Sequence, residues 1–193
     1  MPSKIAVGIP VRSSTGDRGL ATAIAECRRE GKSVIGICGG YQMMGLEVSD
    51  PQGVEGEISR LPGLGLLPVR TVLEGEKVTR QVKFRFMEGD TECTGYEIHM
   101  GRTTGVDDAQ PLNRIDGAGE DGCYVDDRCF GTYIHGVLDN PTVIEHLLAP
   151  YIGKTEVSTF DYKAYKEEQY DALAAHMREH IDIPLLYKIM GAE

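Results

Sequence analysis

The chain has 193 residues, 41% apolar and 26% charged, proportions that suit a single folded domain and exclude wholesale disorder. Thirty acids against twenty bases give a net charge of −10, the wrong sign for gripping a phosphate backbone, so no nucleic-acid partner is expected. No apolar run approaches the roughly 20 residues of a membrane span, and the start Met1-Pro2-Ser3-Lys4-Ile5 lacks a signal-peptide pattern, so no membrane partner is expected.

Ile5 to Pro10 reads as a short buried strand, followed by a loop at Ser13-Ser14-Thr15-Gly16-Asp17 in which Asp17 is placed to cap a helix. Residues 18 to 30 carry Leu20, Ile24 and Cys27 at helical spacing, and Gly31 closes that helix. Ser33 to Ile37 is a β-branched run too short for a helix, hence a buried strand. Strand, helix, strand is the unit of a parallel sheet covered by helices. Beyond Gly63 the spacing predicts strands at Gly65-Leu66-Leu67, Val69 to Leu73, Val78 to Phe86, Gly95 to Met100, and Phe130 to Ile134. Asn113 to Asp127, rich in Gly and Asp, reads as a surface loop. From Asp161 to Gly191, Tyr165, Gln169, Leu173, Met177, Ile181 and Leu185 recur every four residues, a helical pattern that Pro184 should break near its end. The expectation is one α/β domain over residues 1–193 with a helical tail from 155.

The most informative stretch is Gly36-Ile37-Cys38-Gly39-Gly40-Tyr41-Gln42, a strand running into glycines at the start of a helix. This is the strand-to-helix nucleophile turn in its cysteine form. Glycines let the backbone bend and a substrate approach. A thiol at a helix start is biased toward thiolate, and the amides after it can hold an oxyanion. A small buried thiol in a tight turn would produce the same letters.

A thiol nucleophile needs a base. Gly131-Thr132-Tyr133-Ile134-His135-Gly136 puts His135 at a strand end, where active-site groups of open parallel sheets gather. His99 shares a strand face with Glu97, which offers a carboxylate and an imidazole together, or simply a polar sheet face. His146, His176 and His180 lie in helical contexts with no Glu or Cys to complete a metal set, so no metal is expected. Cys27, Cys93, Cys123 and Cys129 lack paired metal-ligand spacing, and with Cys38 they make an odd number. They read as reduced cytoplasmic thiols, not as a disulfide scaffold. Gly63-Leu64-Gly65 is no phosphate loop, because no Lys-Ser/Thr follows.

With Cys38 and His135 placed, the sequence resembles the glutamine amidotransferase domain of the cobyric acid synthase family, which acts in cobalamin biosynthesis. The resemblance runs through Gly36-Ile37-Cys38-Gly39-Gly40-Tyr41-Gln42-Met43-Met44-Gly45, Val54-Glu55-Gly56 and Gly63-Leu64-Gly65-Leu66-Leu67. It continues through Gly95-Tyr96-Glu97-Ile98-His99-Met100-Gly101-Arg102, Asp116-Gly117-Ala118, Gly131 to Gly136 and Glu168-Gln169-Tyr170-Asp171-Ala172-Leu173. The first motif marks amidotransferases in general, and the Tyr-Glu-Ile-His-Met-Gly stretch makes the match specific.

The resemblance implies a flavodoxin-like doubly wound sheet with helices on both faces. It implies that glutamine is hydrolysed to glutamate and ammonia, and that ammonia passes to a separate ATP-dependent synthetase domain that amidates corrinoid carboxylates. It implies Cys38 as nucleophile, His135 as base, an oxyanion-hole amide at Gly39, and a glutamine contact at Gln42; Gly40, Glu97 and His99 are further candidates to line the glutamine site. ATP and Mg belong to the synthetase, and no cofactor is expected in this chain.

Three departures bear on this reading. The ATP-binding domain of the family is absent. The amidotransferase domain reads as shortened before residue 5. Val11 stands where the family has an oxyanion-hole glycine. Val137 occupies the position two after the histidine where many related amidotransferases carry Glu, so a Cys-His dyad is expected, with Glu97 and then Asp139 as candidates to orient His135. A docking module that keeps the fold without turnover, or a cysteine hydrolase acting on an ester or lactone, are the competing readings.

Overall fold

A computed structural model describes residues 6–7, 19–56, 59–152 and 161–191. In chain order the elements begin with β1 (Ala6–Val7), α1 (Leu20–Arg29), β2 (Val34–Ile37), α2 (Gly39–Met44), β3 (Glu47–Ser49) and β4 (Arg60–Pro62). The long strands β5 (Val69–Phe86) and β6 (Glu92–Gly105) follow, then β7 (Asn113–Ile115), β8 (Gly119–Asp121), β9 (Cys123–Asp126) and β10 (Cys129–Thr132). A 3-10 turn at Val137–Asp139 leads into α3 (Pro141–Ile152), and α4 (Tyr162–His180) and α5 (Ile183–Met190) complete the chain. Contacts divide it into two compact units, Met1–Glu156 and Val157–Glu193.

The first unit is organised on a sheet of order β1-β2-β10-β9. β1 and β10 both run parallel to β2, with Val34 opposite Ala6 and Cys129, while β9 is antiparallel to β10. Alternate residues of β2 and β10 enter different cores, as the period of two requires. Val34 and Cys129 pack with Tyr41 and Met44 of α2, and Ile24 and Cys27 of α1 lie against them. Ile35 and Phe130 face the other way, onto Val143 and Leu147 of α3 and onto Phe84 and Phe86 of β5. Both faces of β2 and β10 are therefore covered, which is why they read as continuous apolar runs rather than alternating ones.

A second sheet, of order β4-β3-β5-β7-β8, is largely antiparallel, and β6 pairs along β5. β3 meets the start of β5 and β7 its end. The two predicted strands at 69–73 and 78–86 are one strand whose register against β6 shifts between Leu73 and Val78. The Glu-Gly-Glu-Lys stretch that looked like a turn is thus an irregularity inside a ladder.

Other expectations change as well. Gly65-Leu66-Leu67 is not a strand. The amides of Gly65, Leu66 and Leu67 bond the carbonyls of Gly45 and Met44 at 2.9 Å, supplying donors that the end of α2 lacks. Residues 113–127 form β7, β8 and β9 instead of a loop; their glycines Gly117, Gly119 and Gly122 take positive φ at the reversals. α1 starts from Gly19 as N-cap, and Asp17 lies outside the described residues, as do Ile5 and 8–18. Gly31 does close α1, with its amide on Arg28 O and the Lys32 amide on Cys27 O, the paired bonds of a Schellman ending.

In the second unit, Asp161 caps α4 through the Ala164 amide and Asp182 caps α5 through the Leu185 amide. Pro184 lies in the first turn of α5, where its missing N–H costs nothing. It therefore begins a helix where the sequence suggested it would end one. No helix among the described residues is long and apolar enough to cross a membrane.

Candidate active site

Cys38 follows β2 directly and is the N-cap of α2, with φ 54° and ψ −114°. Positive φ in a residue with a Cβ is strained backbone and persists only where its surroundings hold it. Here the Cys38 amide donates to Thr132 O of β10 at 2.9 Å, and its carbonyl accepts from the Gln42 amide at 3.1 Å. Gly36 permits the reversal, since a Cβ there would stand 2.7 Å from both Met44 Sδ and the Tyr41 nitrogen. The turn thus lifts the thiol off the sheet, and its S–H points at Ile98 O of β6, 3.5 Å away.

Burial pushes the Cys38 thiol above its ordinary pKa, the Gly39 N–H opposes this, and the Glu55 charge adds to it. The expected bias toward thiolate is therefore outweighed. α2 has only six residues, a short source of dipole against the cost of desolvating a charge.

His135 comes three residues after β10 and is held by β6. Its amide donates to Tyr96 O at 2.7 Å and its carbonyl accepts from the Tyr96 amide at 3.0 Å. The two rings stack 5.0 Å apart and 10° from parallel. Nε2 of His135 is buried and has no hydrogen-bond partner. Burial, with a smaller contribution from His99, holds the His135 pKa below 6.5. Cys38 and His135 therefore lie against the same strand, at Ile98 and Tyr96, about 7 Å apart along it. No hydrogen bond joins them.

Glu97 and His99 do share a face of β6, as expected, but Glu97 does not reach His135. Glu97 is 4% exposed, and its carboxylate accepts from Arg80 Nε, with His99 Nε2 3.5 Å from the other oxygen. Burial pushes the Glu97 pKa up, and the His99 and Arg80 contacts together bring it below the ordinary value. His99 donates from Nδ1 to Gly101 O at 2.8 Å and stacks on Tyr133 at 3.8 Å. Asp139 lies in the 3-10 turn after His135 with its carboxylate beside Gly136.

Gly39 and Gly40 open α2, and Gln42 sits one turn beyond Cys38. Sequence reasoning missed what Gln42 touches. Its Nε2 donates to the Tyr133 hydroxyl at 3.1 Å, which pairs with Thr103 at 2.6 Å. It also missed Asp121, a buried carboxylate that accepts from the Thr132 hydroxyl, Asn113 Nδ2 and the Tyr133 amide. Burial pushes the Asp121 pKa up against the pull of these three donors. Only a strand assignment for 119–121 could have signalled it. A cleft of about 430 Å³ is lined by Tyr41, Arg80, Glu97, His99, Gly101 and Tyr133, among others; Cys38 and His135 are not among its walls. Val11 lies outside the described residues. Among the described residues no group of three His, Cys, Asp or Glu side chains is placed to hold a metal ion.

Residues 12–143 match the CobB/CobQ-like glutamine amidotransferase domain family, a span that contains Cys38, Gly39, Gly40, Gln42, Glu97, His99 and His135. The chain belongs to this family. Cobyric acid synthase of Bacteroides fragilis is 61% identical over 174 residues, covering 89% of this chain and 35% of that protein. Its counterpart in Phocaeicola vulgatus is 59% identical over 176 residues, covering 90% and 36%. The chain thus spans about a third of the length of the curated relatives it matches. A solved glutamine amidotransferase superposes with a TM-score of 0.51 at 16% identity, over 69% of each chain. The fold is the flavodoxin-like α/β fold expected from the CobB/CobQ-like motifs, with the β5–β6 sheet set against one face of its parallel strands.

Proposed function

We propose that this amidotransferase domain hydrolyses glutamine and delivers ammonia to an ATP-dependent synthetase segment or subunit, for amidation of corrinoid carboxylates in cobyric acid synthesis. The observation that carries this reading is Cys38 at positive φ on the β2–α2 turn, against the same stretch of β6 as His135. In the first step His135 Nε2 takes the Cys38 proton while sulfur attacks the side-chain amide carbon of glutamine. The carbonyl electron pair moves onto oxygen, and the Gly39 N–H, which faces the Cys38 sulfur, would be the donor that receives it. Collapse breaks the C–N bond, the proton on His135 goes to the departing nitrogen, and ammonia leaves a γ-glutamyl thioester. Water then adds with His135 again as base, the C–S bond breaks, and the sulfur recovers its proton as glutamate departs.

A thiol kept protonated by burial needs such a base, and an imidazole with pKa below 6.5 is neutral and able to act as one. ATP and Mg would be supplied by the synthetase, and no cofactor is assigned to this chain. A cytoplasmic setting accords with five cysteines that are all unpaired. The docking-module reading is favoured by one observation, the lack of a Cys38–His135 hydrogen bond.

Labelling with a diazoketone analogue of glutamine, followed by peptide mapping, separates the two. One equivalent on Cys38, blocked by glutamine and abolished by Cys38→Ser, is expected. No adduct, or adducts scattered over Cys27, Cys93, Cys123 and Cys129, would leave only the docking role.

A further inference from the structure

We infer that Tyr133 is a positioning residue for glutamine recognition, acting through Gln42; the inference rests on the glutaminase reading. A glutamine side chain has freely turning bonds and an amide whose two ends differ only in hydrogen-bonding sense. Something must fix both its place and its orientation before it can discriminate among ligands.

The structure provides this in a chain of hydroxyls. Gln42 Nε2 donates to Tyr133 Oη at 3.1 Å. The same hydroxyl pairs with Thr103 Oγ1 2.6 Å away, and Thr103 in turn pairs with buried Thr71 Oγ1 at 2.7 Å. The Tyr133 ring cannot drift, since it stacks on His99 at 3.8 Å and meets Tyr41 edge-on at 5.2 Å. Its amide is anchored on Asp121. Gly101 completes the seat: a Cβ there would stand 2.3 Å from Gln42 Nε2 and 2.9 Å from Tyr133 Oη.

With its NH2 end committed to Tyr133, Gln42 presents its carbonyl oxygen to a ligand. That oxygen is an acceptor, suited to the ammonium or amide N–H groups of an α-amino acid amide. It stands one helical turn from Cys38, on the same side of α2. Tyr133 thereby sets the sense of recognition without touching the reacting atoms.

The test uses this chain, with Cys38 as reporter. Tyr133→Phe keeps both ring contacts and removes only the hydroxyl. Second-order labelling rates at Cys38 are measured with the glutamine diazoketone and, separately, with iodoacetamide, which needs no recognition. The expected result is a drop of about tenfold for the diazoketone, the effect of one lost hydrogen bond. Half-protection should need about tenfold more glutamine, and the iodoacetamide rate should be unchanged. Gly101→Ala, which displaces Gln42 from the other side, should give the same split. Diazoketone labelling at the parental rate in Tyr133→Phe would overturn the inference, and so would equal losses with both reagents, which would mean a collapsed site. Absence of diazoketone labelling in the parent chain is a different failure, that of the glutaminase reading itself.

Discussion

Asn140 pairs with the backbone of Thr94 as a neighbouring strand residue would. Its Oδ1 accepts from the Thr94 amide at 2.9 Å and its Nδ2 donates to Thr94 O at 3.0 Å, with Gly136 O and Val137 O each a further 3.1 Å contact. One side chain thus ties the turn after His135 to the strand that holds His135 in place. Replacing it with Ala strips the Thr94 amide and carbonyl of these partners, while Gly136 O and Val137 O keep the amides of Asp139 and Asn140, a loss of about 1–3 kcal/mol. Asn140→Asp keeps the acceptor but sets a negative charge against three carbonyls. At neutral pH it should be destabilised at least as much as the Ala variant, and it should recover as acid protonates it. Urea midpoints of the three proteins across pH check this ordering.

Gly95 leaves no room for a side chain against the Ile134–His135 segment. A Cβ there would lie 2.4 Å from Ile134 Cγ2 and 2.6 Å from His135 O, and a backbone carbonyl cannot swing aside as a side-chain end can. Gly95→Ala should cost roughly 1–3 kcal/mol and should slow diazoketone labelling of Cys38. Unchanged stability and labelling would show that β6 does not set the position of His135.

The thiol and the imidazole make opposite demands on pH. Burial holds the Cys38 thiol above 9.0, so its iodoacetamide reactivity should keep rising past that pH. A preformed thiolate–imidazolium pair would instead give a plateau near neutrality. His135 sits below 6.5, so glutamine turnover should hold down to that pH and fail only as acid protonates the base. A turnover profile already falling at about pH 7.5 would contradict the assignment of His135 as that base.

Glu97 should make folding sensitive to acid. Burial raises its pKa, the His99 and Arg80 contacts together lower it by more, and the net value lies below 4.5. A depressed carboxyl contributes stability above its unfolded pKa and loses it as pH falls through the folded value. Glu97→Gln should therefore lower the urea midpoint at neutral pH, and the gap from the parent should close as pH drops below 4.5. A gap that stays constant to about pH 3 would mean that the ion pair contributes nothing.

Strands β2 and β10 of the parallel ladder were legible in the sequence because their signals are local. Val34 to Ile37 and Cys129 to Thr132 are apolar on both faces, and the glycines around Cys38 announce the turn. The ion pair of Glu97 was not legible because Arg80 lies on another strand, and no spacing rule links the two. Asp121 escaped notice for a related reason. Glycines and acids between 116 and 122 look like solvent, yet Asn113, Thr132 and Tyr133 give that carboxylate a buried set of donors. The amide of Gln42 could be placed on α2 from its motif, whereas its hydroxyl partner, 91 residues later in the chain, could not.

The alternation along β6 means that this part of the site tolerates substitution better than it tolerates a change in length. Gly95, Glu97, His99 and Gly101 all lie on the buried face, and Tyr96 and Ile98 on the exposed one. Deleting any single residue between them would act like a frameshift. A slipped strand would present an aromatic and an aliphatic side chain where a carboxylate and an imidazole belong, and would drive Cβ atoms into the spaces left for Ile134 and Gln42. Natural variation in this segment should therefore run to exchanged residues at a fixed count, with insertions confined to the turns beyond Glu92 and Gly105.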